Sequence, residues 1–457
     1  MLGFEDVLLA GLANDGGLYV PETWPQITPA EIASFAGKPY HEVAIEVIWP
    51  FIDGEIERET FENMAREAYQ SFGHPAVTPL VQVGANRWIL ELFHGPTLAF
   101  KDVAMQLLGR MMEHVLTKRD VRATIVGATS GDTGGAAIEA FRGLERADVF
   151  ILYPSGRVSD VQRRMMTTLE ESNIHTLEID GTFDDCQAIV KAMFANTGFR
   201  DASSLSGVNS INWARIVPQI AYYFYAAANL GAPYRPISFS VPTGNFGDIF
   251  AGYAAKRMGL AIDRLVIASN SNDILPRTVE SGVYEKRGVA ATTSPSMDIQ
   301  VSSNFERYLF ELQGRDAATI RAQMASLNQS GRFELNDPDR VIAQELGAHA
   351  SSEDEIANCV RQTVASAGYM LEPHTACGVL AADKCMQDVH HPEVILATAH
   401  PAKFAEAMTE IVGSPVSLPP RLHSLLRAEE RMTHLGNDAR EVETYILQHS
   451  RAAAQGT

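Results

Sequence analysis

A rhythm that begins near residue 86 constrains this chain more than any other feature: an apolar β-rich run, then a turn of small and polar residues, then a helical run, repeated along most of the molecule. RWILEL (87–92) leads through FHGPTLAF to a helix expected near 101–116. ATIVG (123–127) leads through ATSGDTG to one starting near Gly135. VFILY (149–153) precedes a helix from about Val161, and HTLEI (175–179) one near 184–196. ISFSV (237–241), RLVIAS (264–269) and EVILAT (393–398) repeat the theme. Strands alternating with helices imply parallel sheets covered on both faces, with ligands held in the crevice at the strand carboxyl ends. The first 75 residues differ. HEVAIEVIWPFI and ERETFENMAREAYQSF carry apolar positions at helical spacing, which predicts a mostly helical N-terminal unit. FERYLFELQ, TIRAQMASLNQ and EDEIANCVRQTVASA predict a helical insertion over about 305–368 without strands, and the charged tail beyond Pro419 reads as helical, ending in a frayed RAAAQGT.

Composition narrows the function classes. The 457 residues carry a net charge of −19, so nucleic-acid phosphates or an anionic membrane surface are poor partners. An anionic ligand must be held locally, by backbone amides and a few cations. Four cysteines with no C-x-x-C suggest neither disulfides nor a zinc site, and a reducing compartment is expected. The opening MLGFEDVLLAGL places Glu5 and Asp6 where a signal peptide would carry basic residues, so none is expected. The most apolar window, 216–232, is broken by Pro218, Gln219 and Asn229 and reads as a buried helix. Signatures of Rossmann, P-loop, hydrolase-elbow and zincin sites are missing.

Three loops remain. VPTGNFGD follows a strand, and Gly244 and Gly247 would let its amides turn inward at a helix start, a phosphate cradle that needs no cation. An ordinary Gly-closed strand-to-helix turn reads equally well. GATSGDTGG offers Thr129, Ser130, Gly131, Asp132 and Thr133 to a compact carboxylate or phosphate, or simply caps a helix. In FHGPTLAFKD, Lys101 sits in the first turn of a helix, where a cation is electrostatically misplaced unless its charge is removed, as in an imine; an exposed Lys balanced by Asp102 is the plainer alternative. Asn209, Ser210, Asn212 and Arg215 precede a long apolar helix and could fix a charged group or cap the helix, and Thr375 could be a simple N-cap.

Together GLANDGGLYVPE, FHGPTLAFKD, GATSGDTGG, NSINWARI, VPTGNFGD, SPSMDIQVSSNFER (294–307) and EPHTACG resemble, in order and over almost the whole chain, the bacterial and fungal branch of the threonine synthases, fold-type-II pyridoxal-phosphate enzymes. The resemblance implies an α/β fold with parallel twisted sheets flanked by helices. It implies a helical N-terminal domain at 1–75, a large cofactor domain from 76–100 and 205–400, a smaller domain at 101–204 and a helical tail at 401–457. It implies pyridoxal 5'-phosphate bound as an imine on Lys101, with its phosphate cradled by Gly244, Asn245, Phe246, Gly247 and Asp248 and its ring nitrogen facing Thr375. The substrate α-carboxylate would lie on the 129–133 loop. Asn209, Ser210, Asn212 and Arg215, with Arg157 nearby, would hold the substrate phosphate. The implied reaction turns O-phospho-L-homoserine and water into L-threonine and phosphate in a cytoplasmic monomer or homodimer, without metal.

Two departures accompany the resemblance. The family's opening Ser-Thr-Arg strand does not precede MLGFEDV, which is expected to weaken any contact that strand makes, and Ser155 and Arg157 stand where many relatives carry Lys. The competing readings are another fold-type-II activity such as a dehydratase or phospholyase, a non-catalytic sensor of pyridoxal phosphate or a phosphorylated metabolite, and an α/β protein without cofactor.

Overall fold

The computed structural model describes residues 1–13, 15–386 and 390–453. Two sheets organise it. The larger has six strands in the order Leu80–Gln82, Arg87–Glu91, Glu393–Ala397, Ile237–Pro242, Ile262–Ser269, Leu346–Ala350. All pair in parallel except the first, which forms an antiparallel edge. The smaller sheet is wholly parallel: Thr433–Leu435, Ile174–Ile179, Ala147–Pro154, Ala123–Ala128, Leu205–Ser206. The central strands Ile237–Pro242 and Ala147–Pro154 are buried along their whole length, as strands covered on both faces must be. All seven strands expected from the apolar runs are present, each within two residues of its expected limits.

The N-terminal unit is helical as expected, with helices Phe4–Ala10, Pro29–Ser34, Tyr40–Ile48 and Arg58–Gln70. Its apolar faces join the main core, where Tyr40 and Phe61 are among the largest fully buried side chains. The helix Trp213–Asn229 runs through the same core despite Pro218. Among the described residues no helix is long and apolar enough to cross a membrane.

Two expectations are corrected. The 305–368 stretch does hold strands: Arg332–Glu334 pairs antiparallel with Val283–Glu285, and Leu346–Ala350 completes the large sheet beside Ile262–Ser269. LGAHA escapes a periodicity reading because Gly and Ala carry little apolar signal. Its Gly347 is a close-packed position, where a Cβ would lie 3.0 Å from both Val266 and Cys385 side-chain atoms. The tail is likewise no separate helical appendage. Thr433–Leu435 adds an edge strand to the smaller sheet, and the helix Ala439–His449 covers that sheet through Val442 and Ile446. The end of the chain is tied down as far as residue 453: Ser450 Oγ lies 2.6 Å from Thr124 Oγ1 and the Arg451 guanidinium 2.7 Å from Asp148. The rest of the expected fraying, 454–457, lies outside the described residues.

Candidate active site

The carboxyl ends of Ala123–Ala128, Ile237–Pro242 and Glu393–Ala397 open into three loops, and the helix that starts at Lys101 closes against them. The turn before Lys101 is fixed by its own residues. Asp102 accepts from the Thr97 amide at 2.8 Å and from the Thr97 hydroxyl at 2.6 Å. A Cβ on Gly95 would meet the Asp102 side chain at 2.4 Å, so only glycine lets the turn pass. Leu98 adopts a left-handed φ of 58°, held by backbone pairing to the segment after the strand Glu393–Ala397: Phe100 N to Thr398 O at 2.8 Å and His400 N to Leu98 O at 3.0 Å. This pairing carries Lys403 into the site. Its Nζ donates to Thr97 O at 2.9 Å and lies 2.5 Å from Asp132 Oδ1.

Lys101 itself lies 3.9 Å from Asp132 Oδ2. Burial pulls its amine down to about 8, with the cations Lys403 and Arg215 adding to the effect and Asp132 opposing it. Lys101 is thus no solvated surface residue. It can shed its proton near neutrality, as an imine-forming lysine must.

Asp132 opens the helix Asp132–Phe141 after Gly131, whose φ of 140° suits glycine and whose Cβ would strike Gln162 at 2.5 Å. Thr129 Oγ1 accepts from the amides of Gly131 and Gly134, both at 2.9 Å, which bends the loop around its own hydroxyl. Ser130 is exposed and Thr133 half-buried at the loop's rim. Burial alone would raise the Asp132 carboxyl. Lys403, Lys101 and a 2.9 Å hydrogen bond from Gln162 Nε2 more than reverse that and hold it far below the usual carboxylate range.

The 243–248 loop carries a single charged residue, Asp248. The amides of residues 244–248 make no hydrogen bond to protein among the described residues, and the helix Gly247–Arg257 starts there after Phe246 at a left-handed φ of 62°. The Phe246 ring packs on Phe305 at 5.1 Å. A Cβ on Gly244 would sit 2.4 Å from Ser296 O. Asp248 turns away from the cradle: Tyr222 and Tyr223 donate to its Oδ1 at 2.5 and 3.0 Å, and burial lifts its carboxyl to about 7. It serves the helix packing, and only its amide belongs to the cradle.

Ser296 joins the parts. Its hydroxyl reaches Asp132 Oδ2 at 3.5 Å, its amide donates to His374 Nε2 at 3.2 Å, and its carbonyl closes over Gly244. Thr375, buried in the first turn of Pro373–Cys385, donates its hydroxyl to Glu372 Oε1 at 2.7 Å, so its oxygen is left as an acceptor.

The expected substrate-phosphate residues divide. Arg215 is 4% exposed, donates to Val208 O at 3.0 Å, and keeps a buried Nε with no partner; burial lowers its guanidinium to about 10. A buried cation without a carboxylate is costly, and an incoming anion relieves that cost. Asn212 is fully used as the cap of Trp213–Asn229, with Oδ1 accepting from Ala214 N and Nδ2 donating to Leu8 O at 2.9 Å each. Asn209 is exposed, and Ser210 offers its carbonyl to Asn304 at 3.1 Å. Arg157 is exposed in the 155–158 turn, and no hydrogen bond or ion pair of its side chain joins it to the Lys101 cluster among the described residues.

The pattern described as threonine synthase N terminus matches residues 1–69, that of pyridoxal-phosphate dependent enzymes matches 72–323, and that of the threonine synthase C-terminal region matches 375–446. A threonine synthase of Pseudomonas aeruginosa is 51% identical over 450 residues, covering 98% of this chain and 96% of that protein. The chain belongs to the threonine synthase family. The structure of a pyridoxal-phosphate-bound threonine synthase from Brucella melitensis superimposes with a TM-score of 0.97 at 59% identity, covering 99% of this chain and 97% of that one. The yeast threonine synthase follows at 0.92 and 38%, covering 98% and 96%. The fold is that of the fold-type-II enzymes and the cofactor is pyridoxal phosphate.

The residues present suit that cofactor: a largely enclosed lysine that is easily neutralised, five amides without protein partners among the described residues at a helix start for a phosphate, and a buried hydroxyl at Thr375. Sequence reasoning passed over Lys403, Gln162, Ser296 and Glu372. A lone lysine in the short AHPAKF loop after an apolar strand was the available signal for Lys403. The rest lie far apart in sequence, and only the fold assembles them. The motif 294–307 acquires a structural role besides. Asn304 donates to Asn245 O at 3.0 Å as well as to Ser210, and Arg307 donates to Ile211 O at 2.6 Å and Tyr19 O at 2.8 Å, pinning the 209–212 and 244–248 segments together.

Proposed function

We propose that the chain converts O-phospho-L-homoserine and water into L-threonine and inorganic phosphate. The carrying observation is a set of open backbone amides and a buried, unpaired guanidinium, set apart from each other beside one amine. The 244–248 amides have no cation among them, whereas Arg215 is a buried cation with no anion, and both adjoin Lys101 and its neighbours. A substrate with its own phosphate needs a second site, and Arg215 supplies one with a geometry suited to phosphate oxygens.

Bound pyridoxal phosphate supplies an electron sink for charge developing at the substrate carbons. The 129–134 loop receives the α-carboxylate through Ser130, Thr133 and the helix amides. Lys101 would hold the cofactor and, with its amine free, would take the proton from Cα and carry protons between neighbouring carbons. Arg215 holds the phosphate in place until it leaves Cγ and water adds at Cβ. We further propose a cytoplasmic location, supported by four free cysteines, three of them buried.

The test is release of phosphate and threonine from O-phospho-L-homoserine by the purified chain with pyridoxal phosphate. Equal amounts of the two are expected. Phosphate accompanied by a keto acid would replace this reading with a phospholyase.

A further inference from the structure

Two lysines, one buried and one largely enclosed, share one carboxylate in this site, and they share it unequally. Lys403, 1% exposed, lies 2.5 Å from Asp132 Oδ1 and is anchored by Thr97 O, while Lys101 stands off at 3.9 Å from Oδ2. Gln162 Nε2 and Ser296 Oγ complete the hold on the carboxylate, at 2.9 and 3.5 Å. An unattended Asp132 would close on Lys101 and keep it a cation, because an opposite charge at contact favours the protonated amine. It would also leave a bare negative charge in the loop proposed to receive the substrate carboxylate.

We propose that Lys403 is a positioning residue that ties Asp132 down, leaving the Lys101 nitrogen free to give up and regain its proton. The proposal rests on the reading of Lys101 as the cofactor lysine. The charged groups facing Lys101 are Asp132 from the following loop, Lys403 from the 398–403 segment, Arg215 from the long core helix and Asp102 from its own helix. Asp102 is engaged by Thr97, and burial raises its carboxyl to about 6. Of these four, only Asp132 is an anion held close to the Lys101 nitrogen, and only Lys403 competes for it directly.

Titrating the visible absorbance of the loaded full-length chain against pH reads protonation of the Lys101 nitrogen in the bound state. Lys403→Met is expected to raise the midpoint by about one unit, a tenfold change in the proton equilibrium, and to move the acid limb of kcat by the same amount. Lys403→Arg restores both. Asp132→Asn, which removes the anion and keeps both lysines, is expected to shift the midpoint downward. A purely structural role for Lys403 gives no such opposition of sign. Midpoints unchanged in K403M, or moved the same way in K403M and D132N, overturn the proposal while the cofactor reading stands. A titrating absorbance band that persists in Lys101→Ala overturns the cofactor reading itself, and the proposal with it.

Discussion

Asp132 and Asp248 occupy matching places, each in the first turn of a helix after a glycine-containing loop at the carboxyl end of a parallel strand. Their charges go opposite ways. Asp132 faces two lysines and is held ionised; Asp248 faces two tyrosines in an apolar interior and is lifted to about 7. The loops differ accordingly. In 129–134 a hydroxyl already takes two amides, Ser130 and Thr133 stand at the rim and the Asp132 anion is buried, which suits the gripping and release proposed for the substrate. In 244–248 the amides are open, the charge is turned away, and Ser296, Ser302 and Asn304 clamp the backbone from outside. That suits an anion bound once and kept. On the function proposed above, similar glycine-rich turns would divide the work between a substrate loop and a cofactor loop according to where one aspartate points.

Removing the amine both loops serve should have the largest effect. Lys101→Ala is expected to lower kcat by about 10⁴-fold or more, as for other covalent catalytic groups, with phosphate release as the assay and an unchanged circular-dichroism spectrum as the control. Next come the glycines that set each loop. Gly244→Ala drives a Cβ into the Ser296 carbonyl and should weaken cofactor affinity, measured by equilibrium dialysis, by about 10- to 100-fold, the worth of roughly 1–3 kcal/mol of overpacking. Gly131→Ala carries similar strain at its φ of 140° but should raise KM and leave cofactor affinity near wild type. If both substitutions released the cofactor alike, the division of labour would be wrong.

The arginines sharpen the same contrast. Arg215→Ala removes a buried guanidinium and should raise KM for the phosphorylated substrate by about 10- to 100-fold, in keeping with roughly 1.5–3 kcal/mol for hydrogen bonds to charged groups, with little change in cofactor affinity. Exposed Arg157→Ala should alter KM by no more than about twofold, the scale of surface charge effects.

Periodicity made the strand-and-helix frame readable because the central strands are buried on both faces and announce themselves as apolar runs. It failed at LGAHA and at Thr433–Leu435, short edge strands whose residues give no such run and whose pairing depends on partners far along the chain. Within the site, local chemistry left Lys101 and the glycine loops open between a surface lysine with ordinary turns and a ligand site, and it was the order of motifs along the chain that singled them out. Lys403 was not among them. Nothing within ten residues of it explains a buried cation, and its partner Asp132 lies 271 positions away, brought close by pairing of the 398–400 backbone with the Leu98 turn. Asn212 left two readings open, ligand or helix cap, and the fold uses its two polar atoms on capping and on the Leu8 carbonyl.

The smallest effect to look for is the one that isolates the two aspartates from everything else. Asp248, raised to about 7 from an ordinary 3.8, contributes stability that is present below about 3.8 and lost as pH rises toward 7. Asp132, lowered, contributes stability that is present above 3.8 and lost only in stronger acid. Measured as Tm relative to the wild-type chain between about pH 4.5 and 7.5, Asp248→Asn should gain as pH rises toward 7, because only in the wild type does unfolding release a proton from this buried acid. Asp132→Asn should show a constant loss over the same window, because its partner lysines have lost their anion at every pH in it. Parallel profiles would mean that the two loops present their aspartates to similar surroundings, and the distinction between a gripping loop and a holding loop would have to rest on the glycines alone.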